Sequence, residues 1–168
     1  GDKDKGIKEL ENVAWNGRYT RIESRNFLLK LNFQFEERMD ESRKWGRILL
    51  NDFPNNPYFQ KYYGLTYIKD SNYPEAVKTF RDIYNKARRG MPGYNKRFER
   101  EATYYIGMDF KIRDKVDSAA YYFERSEKLS RELDKEKESG FLINTVFYLG
   151  MLYDQMGRRD KAIIYYKE

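Results

Sequence analysis

Small and bulky apolar positions recur along this chain at one fixed interval. Gly64, Gly107 and Gly150 stand 43 residues apart, Ala76, Ala119 and Ala162 keep the same spacing, and two ring positions follow them: Tyr67, Phe110, Tyr153 and Phe80, Phe123, Tyr166. Such self-similarity is the signature of stacked structural repeats. Within each unit the glycine precedes a ring by three residues and an alanine by twelve, and the second ring follows the alanine by four. Apolar spacing of three and four on either side of a polar break predicts two helices per unit. In one unit the first helix runs through Tyr63, Gly64 and Tyr67, the turn falls at 70–73, and the second helix carries Ala76, Phe80 and Ile83. A glycine inside a helix costs about 1 kcal/mol against alanine, so three at equivalent places need a compensating reason. Close approach of the paired helix supplies one. Strand alternation is nowhere sustained, and the expected fold class is all-α.

The segments that carry the repeat are YYGLTYIKDSNYPEAVKTF, YYIGMDFKIRDKVDSAAYYF and YLGMLYDQMGRRDKAIIYY, the last with its turn at Gly157. Their pattern of small residues and rings resembles the tetratricopeptide repeat family. The resemblance implies a right-handed superhelical stack of antiparallel helix pairs, a solenoid that binds a protein or peptide and has no chemistry of its own. One domain is expected, with a leading helix and link at 2–22, a degenerate repeat at 23–56, repeats at 57–99 and 100–142, and an incomplete last repeat at 143–168. The leading helix should stop at Asn16-Gly17. In the degenerate unit Phe33 fits the ring position, whereas Lys30, Ser42 and Gly46 depart from the family's glycine, alanine and ring; Asp52-Phe53-Pro54-Asn55-Asn56 reads as a link into the next repeat. Family units span about 34 residues, so each 43-residue unit carries about nine more, at 91–99 and 134–142. Charged, helix-favouring sequence beside both additions predicts longer helices around a displaced turn, with Met91-Pro92-Gly93 breaking one of them. This longer variant resembles repeats of bacterial signalling and envelope proteins and of some motor adaptor proteins.

In the family the exposed stripe of each first helix lines a concave groove. Counting along the chain places Phe27 and Leu31 on that stripe in the degenerate unit, then Tyr58, Lys61, Leu65 and Ile68, then Tyr104, Met108 and Lys111, then Phe147, Met151 and Asp154. These are the candidate partner-binding residues. The competing account is that the apolar ones pack between neighbouring repeats, as apolar helix positions usually do. The Lys, Asn and Arg with which some family members grip a chaperone's terminal carboxylate are missing: those places hold Phe27, Leu31, Tyr62, Glu101 and Tyr105.

Composition narrows the chemistry. The chain has no Cys and no His, which removes thiol and imidazole nucleophiles, thiolate or imidazole metal sites and disulfides. Adjacent carboxylates such as Glu36 and Glu37 diverge on a helix and read as surface charge. No phosphate-binding glycine loop is present. The expectation is a non-enzyme without metal or cofactor, and no apolar run reaches the roughly 20 residues that span a bilayer. With 33 basic and 27 acidic side chains the net charge is +6. The alternative function this allows is polyanion or nucleic-acid binding through Lys86, Arg88, Arg89, Lys96, Arg97 and Arg100, with Tyr94 and Phe98 as stacking rings. Acidic neighbours dilute that field, and a solvated helix end is the plainer account. Because a solenoid unit buries its apolar face only against a neighbour, Ile163 and Tyr166 are expected to be partly exposed. Either the polypeptide continues beyond Glu168 to cover them or a second copy associates through the incomplete repeat.

Overall fold

Polar side chains open four of the helices, and left-handed residues close the turns within the repeats. The computed structural model describes residues 2–167. Among these the chain forms nine helices and no strand: α1 (Lys3–Asn16), α2 (Arg21–Gln34), α3 (Met39–Asp52), α4 (Pro57–Lys69), α5 (Tyr73–Arg88), α6 (Lys96–Ile112), α7 (Val116–Leu133), α8 (Gly140–Gln155) and α9 (Arg159–Tyr166). Asp2, Asn56, Asn95 and Ser139 each accept a hydrogen bond from a backbone N–H in the first turn of α1, α4, α6 and α8. These caps satisfy donors that the helix leaves without an internal partner. Pro57 follows its cap at the first helical position, where its missing N–H costs nothing.

The turns inside the repeats share one geometry. Ser71, Asp114 and Gly157 adopt φ of 56°, 54° and 72°. In each case the next residue donates its N–H back five residues, Asn72 to Tyr67, Lys115 to Phe110 and Arg158 to Tyr153, at 2.8 to 2.9 Å. This is the Schellman closure, in which a left-handed residue lets the chain satisfy the last carbonyls of the helix. Glu37, with φ of 51°, takes the left-handed place in the turn between α2 and α3, where Arg38 bonds to Asn32 at 3.0 Å. After α5 the chain turns through 89–95, with Gly90 at φ 67°, before α6 begins.

The chain divides into two compact units, one through Thr79 and one from Phe80, the boundary falling within α5. In the first, α1 packs on α2, α2 on α3 and α3 on α4. Its core joins Ala14, Leu28, Leu29, Trp45, Leu49 and Phe59. Trp15 lies 5.2 Å from Trp45, ring centre to ring centre. Arg25 fixes the helix ends, donating to the Ala14 carbonyl at 2.9 Å and pairing with Asp52 at 2.8 Å. Here the small residue at the helix contact sits on α3: a Cβ on Gly46 would meet Tyr63 at 3.2 Å and Leu29 at 3.4 Å. Buried Ser42 satisfies its hydroxyl on the Leu29 carbonyl at 2.8 Å.

In the second unit α6 packs on α7, α7 on α8 and α8 on α9. Its core contains Tyr104, Ala119, Ala120, Phe123, Leu149, Leu152, Tyr153 and Ala162. Each buried large side chain contributes roughly 1.5–3 kcal/mol by leaving water. A Cβ on Gly107 would sit 3.1 Å from the Phe123 ring, and one on Gly150 would sit 2.7 Å from the Tyr166 ring. Gly107 and Gly150 thus each admit the ring of the paired helix. The hydroxyl of Tyr153 donates to Glu124, tying α8 to α7. Burial first, and the facing carboxylate second, push that phenol well above its ordinary value.

Candidate partner-binding surface

In the first unit α2 and α4 carry the stripe residues. Phe27 is 53% exposed. Leu31, Tyr58, Lys61, Leu65 and Ile68 are half-buried. Tyr58 packs on Tyr62 with ring centres 4.9 Å apart, and the Lys30 ammonium stands 4.9 Å from the Tyr58 ring. Burial raises the Tyr58 phenol, but hydrogen bonds with Lys30 and Tyr62 and the charges of Lys30 and Lys61 outweigh it and hold it below its ordinary value. The result is a surface of rings and cations rather than a purely apolar strip.

In the second unit the stripe falls into two parts. Tyr104 is a core residue, which corrects its reading as groove lining. Phe123 and Phe141 meet its ring at 5.8 and 5.2 Å, so helices on two sides cover it. Met108 and Lys111 are half-buried, and Lys111 lies 5.0 Å from the Tyr148 ring, linking α6 to α8. On α8, Phe147 and Met151 are exposed. Asp154 is exposed too but engaged, pairing with Arg159 across the turn at 2.5 Å.

Half of the basic cluster is committed inside the unit. Lys86 pairs with Asp82 at 2.6 Å, Lys96 with Glu132, and Arg100 with Asp134 at 2.8 Å. Arg100 and Tyr94 are buried, so neither is the phosphate ligand or stacking ring of the basic-patch reading. Burial, with Asp82 nearby, pushes the Tyr94 phenol up to about 12. Arg88, Arg89 and Arg97 remain exposed.

Sequence reasoning did not single out a cleft of about 650 Å³ bounded by α7, the 134–139 loop, α8 and α9. Leu142, Ile143, Val146, Phe147, Tyr165 and Tyr166 line it, with Arg131 and Glu138. Ile143, Phe147 and Met151 are all exposed and follow one another at four-residue steps, which puts them on one face of α8. The signal was present in the 43-residue register: Ile143 and Phe147 stand where Arg100 and Tyr104 stand one unit earlier. An aliphatic residue, Ile143, where the preceding unit carries the charge of Arg100 was the clue. Among the described residues no cluster of His, Cys, Asp or Glu is placed to hold a metal ion, and no helix is long and apolar enough to cross a membrane.

Helices that pack one on the next, without a sheet among the described residues, define an all-α, solenoid-like fold. In keeping with this, the chain is similar to the crystal structure of BtubC (BKLC) from P. vanneervenii, with a TM-score of 0.73 at 15% identity over 97% of this chain and 71% of that one. At that identity the likeness carries the fold alone. No family model matches the sequence, and no curated protein matches it.

Proposed function

We propose that this chain is a tetratricopeptide-type scaffold that binds a protein or peptide segment and performs no chemistry itself. The observation that carries the reading is the row Ile143, Phe147 and Met151, three apolar side chains exposed on one face of α8. Contiguous exposed apolar residues in a heavily charged protein mark interaction surfaces more often than ornament. Phe27 and the rings around Tyr58 offer a comparable surface in the first unit. The turns repeated at Ser71, Asp114 and Gly157 support the family resemblance, because they give each helix pair the same closure.

Selection from a displayed peptide library against the immobilised protein tests the reading. Enriched peptides should bind reversibly, and Met151→Glu should weaken them by about tenfold or more, a loss typical of a contact residue, while helicity by circular dichroism is unchanged. Ligands that survive this change, or whose affinity falls steeply with salt, would replace the apolar scaffold reading with a polyanion-binding one.

A further inference from the structure

We infer that the face shared by α2 and α4 is the docking site for an extended acidic segment of a partner protein, whose carboxylates reach Lys30 and Lys69 across a strip of rings. The inference rests on the scaffold reading and names the chemistry of its ligand. Its basis is a continuous ladder of contacts inside the first unit, where α2 packs on α4. The Lys30 ammonium stands 4.9 Å from the Tyr58 ring, and Tyr58 lies 4.9 Å from Tyr62. Tyr62 meets Phe33 at 5.6 Å, and the Lys69 ammonium ends the series 5.7 Å from the Phe33 ring. Lys30 and Phe33 come from α2 and the other three from α4, so the strip exists only because the two helices meet.

These two lysines are held differently from the cations around them. Arg25 pairs with Asp52, Arg43 with Asp40 and Asp70, Lys44 with Glu41 and Lys3 with Glu36. Among the described residues Lys30 and Lys69 have rings in place of carboxylates. A ring face fixes an ammonium through its quadrupole and leaves the positive charge uncancelled. The helices themselves supply little compensation: α4 carries no acidic residue, and Glu23, the one on α2, lies about two turns before Lys30. Burial works against ionisation of the Tyr58 phenol, yet hydrogen bonds with Lys30 and Tyr62 and the charges of Lys30 and Lys61 hold it below its ordinary value, the mark of a positive field.

Ring geometry selects the kind of anion. Tyr58 and Tyr62 are tilted by 51°, Tyr62 meets Phe33 at 87°, and all three are half-buried, so the strip presents edges rather than an open face on which a nucleobase could stack. Lysines act as flexible point charges, which suits the carboxylates of a peptide chain. In an extended segment every second side chain shares a face. Acidic residues at i and i+4 then stand about 13 Å apart, close to the three turns of α4, about 16 Å, that separate Tyr58 from Lys69. Residue i+2 faces the rings between them and is apolar.

The probe is the peptide fluorescein-Gly-Glu-Ser-Leu-Ser-Glu-Gly-amide, followed by fluorescence anisotropy. It should bind the protein one to one, and its version with both glutamates changed to glutamine should bind about tenfold or more weakly. Lys30→Met and Lys69→Met keep the aliphatic stem and should each weaken the complex about threefold or more, with helicity unchanged by circular dichroism. Lys8→Met, on the exposed side of α1, should leave it unaltered. With two ion pairs the affinity should fall modestly with salt, short of the steep loss of a polyanion site. The inference is overturned if the peptide fails to bind, if the glutamine version binds as well, or if Lys8→Met costs as much as the other two changes. It is also overturned if single-stranded oligothymidylate displaces the probe at lower concentration than unlabelled peptide does, or if sedimentation shows a dimer that Lys69→Met dissociates, since a second copy is then the occupant. Library ligands that depend on Met151, beside an acidic probe that does not bind, would remove this inference alone and leave the scaffold reading standing.

Discussion

Gly107 and Gly150 occupy the same register position but face rings of different freedom. Phe123 is fully buried, while Tyr166 is about half exposed near the end of α9. Alanine at either site gains about 1 kcal/mol of helix propensity. At position 150 the Tyr166 ring can swing away, so Gly150→Ala should be neutral or stabilising. At position 107 the confined Phe123 ring cannot, and Gly107→Leu should destabilise by about 1–3 kcal/mol through overpacking. Urea unfolding of the two variants checks the contrast; equal effects would mean that ring confinement does not decide the outcome. The turns allow a converse test. Ser71 holds a left-handed φ that costs an L-residue roughly 1 kcal/mol and a glycine almost nothing. Ser71→Gly should therefore raise the urea midpoint, and Gly157→Ser should lower it. At this scale the sequence declared the close approach through its spaced glycines, but not the left-handed serine and aspartate. Nothing in those residue types demands a positive φ; helix closure imposed it.

Among the elements, the pairing of α6 with the far half of α7 depends on ions. Asp134 takes hydrogen bonds from the backbone and hydroxyl of Ser139 and pairs with Arg100. Burial raises its carboxyl, but the Ser139 bonds and the Arg100 charge outweigh burial and hold it below its ordinary value. Since the folded value is the lower one, the stabilisation is fully present above the unfolded aspartate value of about 3.9 and is lost as pH falls below it. Asp134→Asn should cost about 1.5–3 kcal/mol at neutral pH, the range for hydrogen bonds to a charged group. The two proteins should converge in stability as the pH falls well below the ordinary aspartate range and both carboxyl forms, folded and unfolded, are protonated. A constant difference across that range would assign Asp134 a role other than its charge. Helix identity and the turns at 70–73 and 89–95 were legible because asparagine, glycine and proline mark them locally. The burial of Tyr104 and Arg100 was not, because it depends on how far the partner helix runs, and α7 continues past Phe123 to Leu133.

For the whole molecule, the repeat spacing announced the all-α class, and the stripe count found Phe27, Phe147 and Met151 at the surface. It could not separate Phe147 from Tyr104, since both are rings at one register position and differ only in what covers them. The division into two compact units has a spectroscopic consequence. Both tryptophans of the chain, Trp15 and Trp45, belong to the first unit, with Trp45 fully buried. Their emission is therefore a local reporter, blind to everything after Thr79, while circular dichroism averages over every helix. Stability in repeat arrays is close to a sum of unit and neighbour terms. A lesion in the second unit such as Gly107→Leu should then pull the two melting curves apart, with ellipticity falling first and the indole emission holding its blue-shifted maximum to higher denaturant. If both signals shift together by the same amount, the light from two rings would instead be reporting one cooperative transition that runs the length of the chain.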